Sequence, residues 1–244
     1  MRKTVHSIDG ELLSAYAVNP GTAGAGRHGV VIMHGAGTGD KQRNLPLAED
    51  FAARGHTAVA LDFSGHGESS GTLPELSLRR RRDQASGVIE QVLPPGLPLI
   101  LVGFSMSGQT VADLMDPLGD RVAAVVLCAP GVYGQRTADV PFGAGFTELI
   151  REPESWRDSA AFDVFARFTG RAVLVLPEAD EVIPAGVTAG LESALGTSSD
   201  LSVVRLTGAP HQLGTWLSAQ PQHRQMVVGS ALSASVGESD RAGR

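Results

Sequence analysis

The sequence predicts an α/β protein: a mostly parallel, twisted sheet opened by an antiparallel hairpin, with helices on both faces. Three observations predict it. Short continuous apolar runs rich in Val, Ile and Leu recur along the chain, as strands buried on both faces require. Between them lie longer segments with apolar residues at helical spacing, several closed by glycine or proline. The two kinds of segment alternate regularly, and right-handed crossovers turn that alternation into a parallel sheet covered on both sides.

The opening stretch, TVHSIDGELLSAYAV, places Asp9-Gly10 between two roughly alternating runs. Glycine accepts the positive φ of a tight turn, so two antiparallel strands are predicted. From His28 onward GVVIMHG, TAVALDF, LPLILVGFS, VAAVVLCAP, RAVLVLPEA and LSVVRLTG are predicted as strands of the parallel sheet. NLPLAEDFAARG, LRRRRDQASGVIEQVL, SGQTVADLMDPLG and PAGVTAGLESALG are predicted as helices between them. The interval from Gly131 to Gly170 breaks the rhythm, with two helix-like pieces, no convincing strand, and both Tyr133 and Trp156. An insertion of that size above parallel strands predicts a lid or wall over the crevice at their carboxyl ends. One domain over residues 1–237 is expected, with the lid insertion at about 132–169 and a flexible tail over 238–244.

Composition narrows the functions open to such a chain. With 244 residues, 42% apolar and 19% charged, it can bury a sizeable core. A net charge of −6 argues against nucleic acid and anionic membrane as partners. The N-terminal MRKTVHSIDGELL lacks the apolar stretch of a signal peptide, and no run approaches the ~20 apolar residues that span a bilayer. A cytoplasmic protein is therefore expected. The single cysteine, Cys128, sits in an apolar run, which excludes an intramolecular disulfide and a cysteine metal site.

The chemistry centres on LILVGFSMSGQT, where a predicted strand breaks at Gly103 and a predicted helix begins two residues after Ser105. Strand, sharp turn and helix form the context of a nucleophile elbow, in which a serine at the apex projects above the sheet and the helix start offers backbone N–H groups. The alternative is a serine that merely caps the helix. In the usual spacing, Gly-x-Ser-x-Gly, Ser107 stands where the second glycine belongs. A small side chain fits that crowded position, whereas Ser107 as nucleophile would shift the turn into the helix. A serine hydroxyl needs a base, and the base needs an orienting acid. Asp180 follows one strand in LPEADEVIP and His211 follows the last in LTGAPHQLG, so parallel strands bring both to the edge that carries Ser105. Glu178, two residues before Asp180, is a rival acid. His34 and His66 are expected to support loops through hydrogen bonds.

With HGAGTG, LDFSGHGESSG, GFSMSG and the pair EADEVIP and GAPH in place, the chain from about Val5 to Leu217 resembles the α/β-hydrolase family. The resemblance implies the α/β-hydrolase fold and a serine hydrolase with Ser105 as nucleophile, His211 as general base and acid, and Asp180 as orienting carboxylate. It further implies an oxyanion hole from the backbone N–H groups of Met106 and Ala36. Substrate contacts are expected from Gly35 and Gly37 of the glycine loop and from Tyr133, Phe142, Phe146 and Trp156 of the insertion. Within the family the closest likeness is to small lidded esterases of the cinnamoyl or feruloyl type. No metal or organic cofactor is implied, and a carboxylic ester is the expected substrate.

Competing patterns remain to be placed. GAGRHG, Gly24 to Gly29, has dinucleotide-loop spacing but precedes a strand, so its glycines could not seat a pyrophosphate on a helix N-terminus. GAGTGDK lacks the glycine and the Ser or Thr that flank the lysine of a phosphate loop. The run Arg79 to Arg82 reads as a solvated helix edge, or as a dock for an acyl carrier protein that would make the enzyme a thioesterase or acyltransferase with the same acyl-enzyme chemistry. From another class, a binding protein on this fold would have kept the scaffold and lost the activity.

Overall fold

The computed structural model describes residues 1–21 and 27–233. The tail expected over 238–244 and the first two glycines of GAGRHG lie outside the described residues. Strands β1 (Arg2–Ile8) and β2 (Glu11–Val18) form the N-terminal hairpin. Asp9 and Gly10 both have positive φ, +55° and +74°, which gives the turn the twist its flanking strands need. Six further strands follow: β3 (Gly29–Met33), β4 (Thr57–Leu61), β5 (Leu99–Phe104), β6 (Val122–Cys128), β7 (Arg171–Ala179) and β8 (Asp200–Pro210). Together they make one sheet in the order β1-β2-β4-β3-β5-β6-β7-β8. The pairings from β4 to β8 are parallel, while β1 and β2 run antiparallel. The chain thus has the α/β-hydrolase fold.

The helices divide between the two faces. On one lie α1 (Lys41–Ala53), α7 (Leu213–Ser218) and α8 (Pro221–Leu232); on the other lie α2 (Leu78–Val92), α3 (Ser107–Leu118), α5 (Ala161–Arg167) and α6 (Ala185–Ser198). Strand residues alternate between the two cores. In β3, Val30 and Ile32 pack under α1, whereas Val31 and Met33 pack under α2. This two-sided burial is why the strands read as continuous apolar runs. Cys128 is buried with a free thiol. Among the described residues no helix is long and apolar enough to cross a membrane.

Between β6 and β7 the insertion contains no strand. It holds a turn at Gln135–Thr137, a kinked turn at Phe142–Phe146, the short helix α4 (Thr147–Arg151) and α5. Its rings gather in pairs: Phe142 with Phe146 at 4.6 Å, Tyr133 with Phe146 at 5.7 Å and Trp156 with Phe162 at 6.0 Å between centroids.

The solvated-edge reading of the arginine run holds for three of its four residues and is corrected at Arg81. Arg79 pairs with Asp139, Arg80 with Asp9 at 2.7 Å and Arg82 with Asp83 at 2.5 Å. Arg81 is 0% exposed. Helical phase explains the difference, because Leu78, Arg81, Ala85, Val88 and Ile89 share the face of α2 that meets the sheet.

Candidate active site

The site is built at the carboxyl ends of the parallel strands. Ser105 follows β5, two residues before the first turn of α3, and holds a φ of +49°. That conformation costs a non-glycine residue roughly 1–3 kcal/mol and persists only where surrounding bonds dictate it. Three do: the Ser105 N–H donates to Cys128 O at 2.9 Å, and its carbonyl accepts from Gly108 N at 2.8 Å and Gly131 N at 2.9 Å. The tight turn also explains Gly103, where a Cβ would lie 2.5 Å from the Ser107 carbonyl oxygen.

His211 lies in the loop between β8 and α7, and Asp180 directly follows β7. Ser105 Oγ is 2.9 Å from His211 Nε2, and His211 Nδ1 is 3.1 and 3.0 Å from the two oxygens of Asp180. A carboxylate accepts only, so Nδ1 carries the proton and Nε2 is left to accept from the serine hydroxyl. Asp180 is fixed in turn, its Oδ1 accepting from the N–H groups of Val182 at 2.8 Å and Ile183 at 3.1 Å. These are the amides of the turn EVIP. Glu178 instead accepts from Gly208 N at 3.2 Å.

The loop after β3 passes directly beneath Ser105: a Cβ on Gly35 would sit 3.0 Å from Ser105 Cβ and 3.3 Å from the Phe104 carbonyl oxygen. Any larger residue there would have to push the serine or its turn aside by a few tenths of an ångström. Ala36, next in the loop, lines both cavities that flank the serine. Gly37 lines neither of these two; exposed and with φ at +71°, it turns the chain between Ala36 and Thr38.

The two cavities differ in size and character. One of about 600 Å³ is walled by Met106, Tyr133, Phe142, Phe146, Ile150 and Trp156, so all four insertion aromatics named from the sequence meet there. The other, about 110 Å³, is lined by Gly35, Asn44, Ser105, His211, Gln212 and Thr215. Among the described residues lining the larger cavity there is no Asp or Glu.

Beneath the site lies a polar layer. His34 donates from Nδ1 to Gly35 O at 2.5 Å and accepts the Phe63 N–H on Nε2 at 3.2 Å. His66 contacts Ser64 O at 3.1 Å through Nδ1. Burial, reinforced by the neighbouring Arg81, lowers both imidazoles below the ordinary histidine value and keeps them neutral. Asp62, fully buried, accepts from the Lys41 backbone at 2.7 Å, from Lys41 Nζ at 2.6 Å and from Glu68 N at 2.9 Å. Burial alone would lower Lys41, but Asp62 and Glu68 outweigh it and raise its pKa.

Two side chains of this layer escaped the sequence reading in their true role. Ser107, in place of the elbow's second glycine, is 0% exposed and donates its hydroxyl to His34 O at 2.6 Å. Arg81 Nη2 donates to the same carbonyl at 2.6 Å and to Ser107 Oγ at 2.7 Å, while its guanidinium lies 3.8 Å over the Phe63 ring. Its Nε and Nη1 are buried with no partner among the described residues. Leaving such a donor unsatisfied costs about 1–3 kcal/mol. The signal that could have found it is phase: in Leu78-x-x-Arg81-x-x-Gln84-Ala85 the arginine falls on the apolar stripe.

Comparison with known proteins places this architecture. Residues 24–155, just over half of the chain, match the family described as serine aminopeptidase, S33. The dihydrolipoyllysine-residue acetyltransferase component of the acetoin cleaving system of Cupriavidus necator is 32% identical over 137 residues, which are 55% of this chain and 34% of that protein. This chain therefore spans about a third of that relative. An esterase from Exiguobacterium antarcticum superposes with a TM-score of 0.69 at 18% identity, over 95% of this chain and 100% of the other. Est1E from Butyrivibrio proteoclasticus, solved with ferulic acid bound, superposes with a TM-score of 0.66 at 15% identity, over 91% and 99%. At these identities the two structures share the fold alone.

Proposed function

The chain belongs to the serine aminopeptidase S33 family of α/β hydrolases, and from that premise we propose that it is a serine hydrolase cleaving a carboxylic ester through an acyl-enzyme on Ser105. The observation that carries the proposal is the unbroken hydrogen-bonded chain from Ser105 through His211 to Asp180, with contacts of 2.9 and 3.0 Å. In this mechanism His211 Nε2 takes the hydroxyl proton as Ser105 Oγ attacks the carbonyl carbon, and Asp180 stabilises the imidazolium that forms. The N–H groups of Met106 and Ala36 receive the negative charge on the carbonyl oxygen, each worth roughly 3 kcal/mol of barrier lowering. His211 then protonates the departing alcohol, and water repeats the attack to release the acid.

The leaving oxygen must lie against His211 Nε2 to receive that proton, so the alcohol belongs in the small cleft that His211 lines. The acyl group then extends past Met106 into the aromatic cavity. That division favours esters of bulky, apolar acids. It also favours an ester over an aminopeptidase substrate, whose α-ammonium would enter the acyl side, where no lining Asp or Glu meets it.

A fluorophosphonate probe and a panel of aryl-acyl and alkyl-acyl esters test the proposal, with an aminoacyl amide as control. Labelling is expected of the native protein and of Ser107→Ala but not of Ser105→Ala. Equal labelling of Ser105→Ala would sink the assignment, and no labelling at all would leave a binding protein on this fold.

A further inference from the structure

We propose that Arg81 is a positioning residue of the reaction, clamping together the two backbone segments that carry the oxyanion donors, with Ser107 as the other half of the clamp. The inference rests on the serine-hydrolase reading of Ser105.

The geometry is a closed triangle. Arg81 Nη2 reaches His34 O at 2.6 Å and Ser107 Oγ at 2.7 Å, and Ser107 Oγ reaches His34 O at 2.6 Å. The His34 carbonyl belongs to the peptide that leads into Gly35 and Ala36, and Ser107 directly follows Met106. One guanidinium corner therefore sets the spacing between the strand end before Ala36 N–H and the helix start after Met106 N–H. Oxyanion donors act only when held about 2.7–3.1 Å from the place the charge will occupy, so that spacing is a catalytic quantity.

A merely space-filling role does not account for the residue. An apolar side chain would fill the volume without burying donors, whereas Arg81 keeps Nε and Nη1 without partners and has no carboxylate in ion-pair contact among the described residues. Burial lowers its pKa to about 9, so it remains charged at neutral pH. An uncompensated cation beside the site further favours the negative charge that appears on the substrate oxygen during the reaction. Ser107 and Arg81 also explain one another. A glycine at 107 would remove one of the two acceptors that hold the guanidinium, so this chain's departure from Gly-x-Ser-x-Gly is the acceptor half of the device.

The experiment compares the native protein with Arg81→Met, Arg81→Lys, Ser107→Ala and the Arg81→Met/Ser107→Ala double variant. It reads kcat and KM on one ester, the rate of fluorophosphonate labelling, and affinity for a trifluoromethyl ketone, which forms the oxyanion adduct, against affinity for the matching methylene ether, a neutral analogue with no carbonyl. Arg81→Met is expected to lower kcat about 10–100-fold with KM within twofold, and to weaken the ketone by a matching factor while leaving the ether unchanged. Arg81→Lys, which keeps the charge but not the planar fork, should fall between. Ser107→Ala should lose about 3–10-fold, and the double variant should be no more than about twofold worse than Arg81→Met, since both remove one device. A folded Arg81→Met with kcat within twofold of native, or equal loss for ketone and ether, overturns the clamp. Should Arg81→Met fail to fold, an unchanged kcat and labelling rate in Ser107→Ala overturns it instead. A native protein that is unlabelled at Ser105 overturns the serine-hydrolase reading and the clamp with it, whereas a labelled native protein with an indifferent Arg81→Met removes the clamp alone.

Discussion

His211 Nδ1 lies 3.0 Å from Asp180 Oδ2, while Asp180 Oδ1 is held by the backbone N–H groups of Val182 and Ile183. The carboxylate is thus fixed before it fixes the imidazole, and one tautomer of His211 follows. Asp180→Asn would present an amide that can donate to Nδ1 and leave the proton on Nε2, where it cannot accept from the serine. We expect a kcat about 10⁴-fold lower with KM little changed, and Glu178→Gln within twofold of native. Steady-state kinetics on one ester check this; a larger loss in Glu178→Gln than in Asp180→Asn would reverse the assignment of the acid.

The aromatic cavity should govern the acyl group. Trp156→Ala and Phe146→Ala each remove a large apolar wall, and losing about 1.5–3 kcal/mol of apolar contact corresponds to roughly 10–100-fold. For aryl-acyl esters kcat/KM should fall within that range, while for acetyl esters, too short to reach the wall, it should stay within twofold. Equal losses on both substrates would place the acyl group elsewhere.

Stability should weaken on mild acidification. Burial lowers the pKa of His28, His34, His56 and His66 below 6.5 in the folded chain. The unfolded chain therefore binds more protons once the pH drops under about 6.5, and the histidines' contribution, complete above that value, is lost progressively as the pH falls toward their folded values. Asp113, raised by burial from 3.8, acts in the opposite sense. Calorimetry between pH 8 and 5 should show Tm level above 7 and declining below, with a shallower decline in His66→Gln. A Tm that climbs on acidification would contradict this.

The buried Lys41–Asp62 pair, 2.6 Å apart with side chains 3% and 0% exposed, should be costly to break from one side. Lys41→Met leaves a carboxylate in the interior with backbone donors alone, at about 3–5 kcal/mol. For a chain of this length that lowers Tm by roughly 10 °C. Asp62→Leu added to Lys41→Met should recover part of the loss, and thermal melts of the two variants would show whether it does.

Much of this molecule could be read before it was seen, for identifiable reasons. The six apolar runs are legible because both sheet faces are covered, and of the two neighbouring carboxylates Asp180 lies beside His211 while Glu178 accepts from Gly208 N. Arg81 was obscured by its neighbours: four consecutive arginines look alike in composition, and only the phase of α2 against the sheet turns one of them inward. Gly37 shares its motif with Gly35 and Ala36, but those two line the cavities described above while Gly37 turns the chain beyond them. The insertion's four aromatics could be named, yet its short helices and kinked turn carry no period from which their common cavity could be deduced.

On the proposed role of Ser105, its left-handed backbone sets folding against reaction at a single position. Glycine adopts that φ without penalty, so Ser105→Gly should melt several degrees above the native protein while hydrolysing nothing, and Ser105→Ala, equally inert, should gain no such relief. Each molecule would then carry a small, permanent tension in its most reactive residue, released only by abandoning the hydroxyl that gives the residue its use.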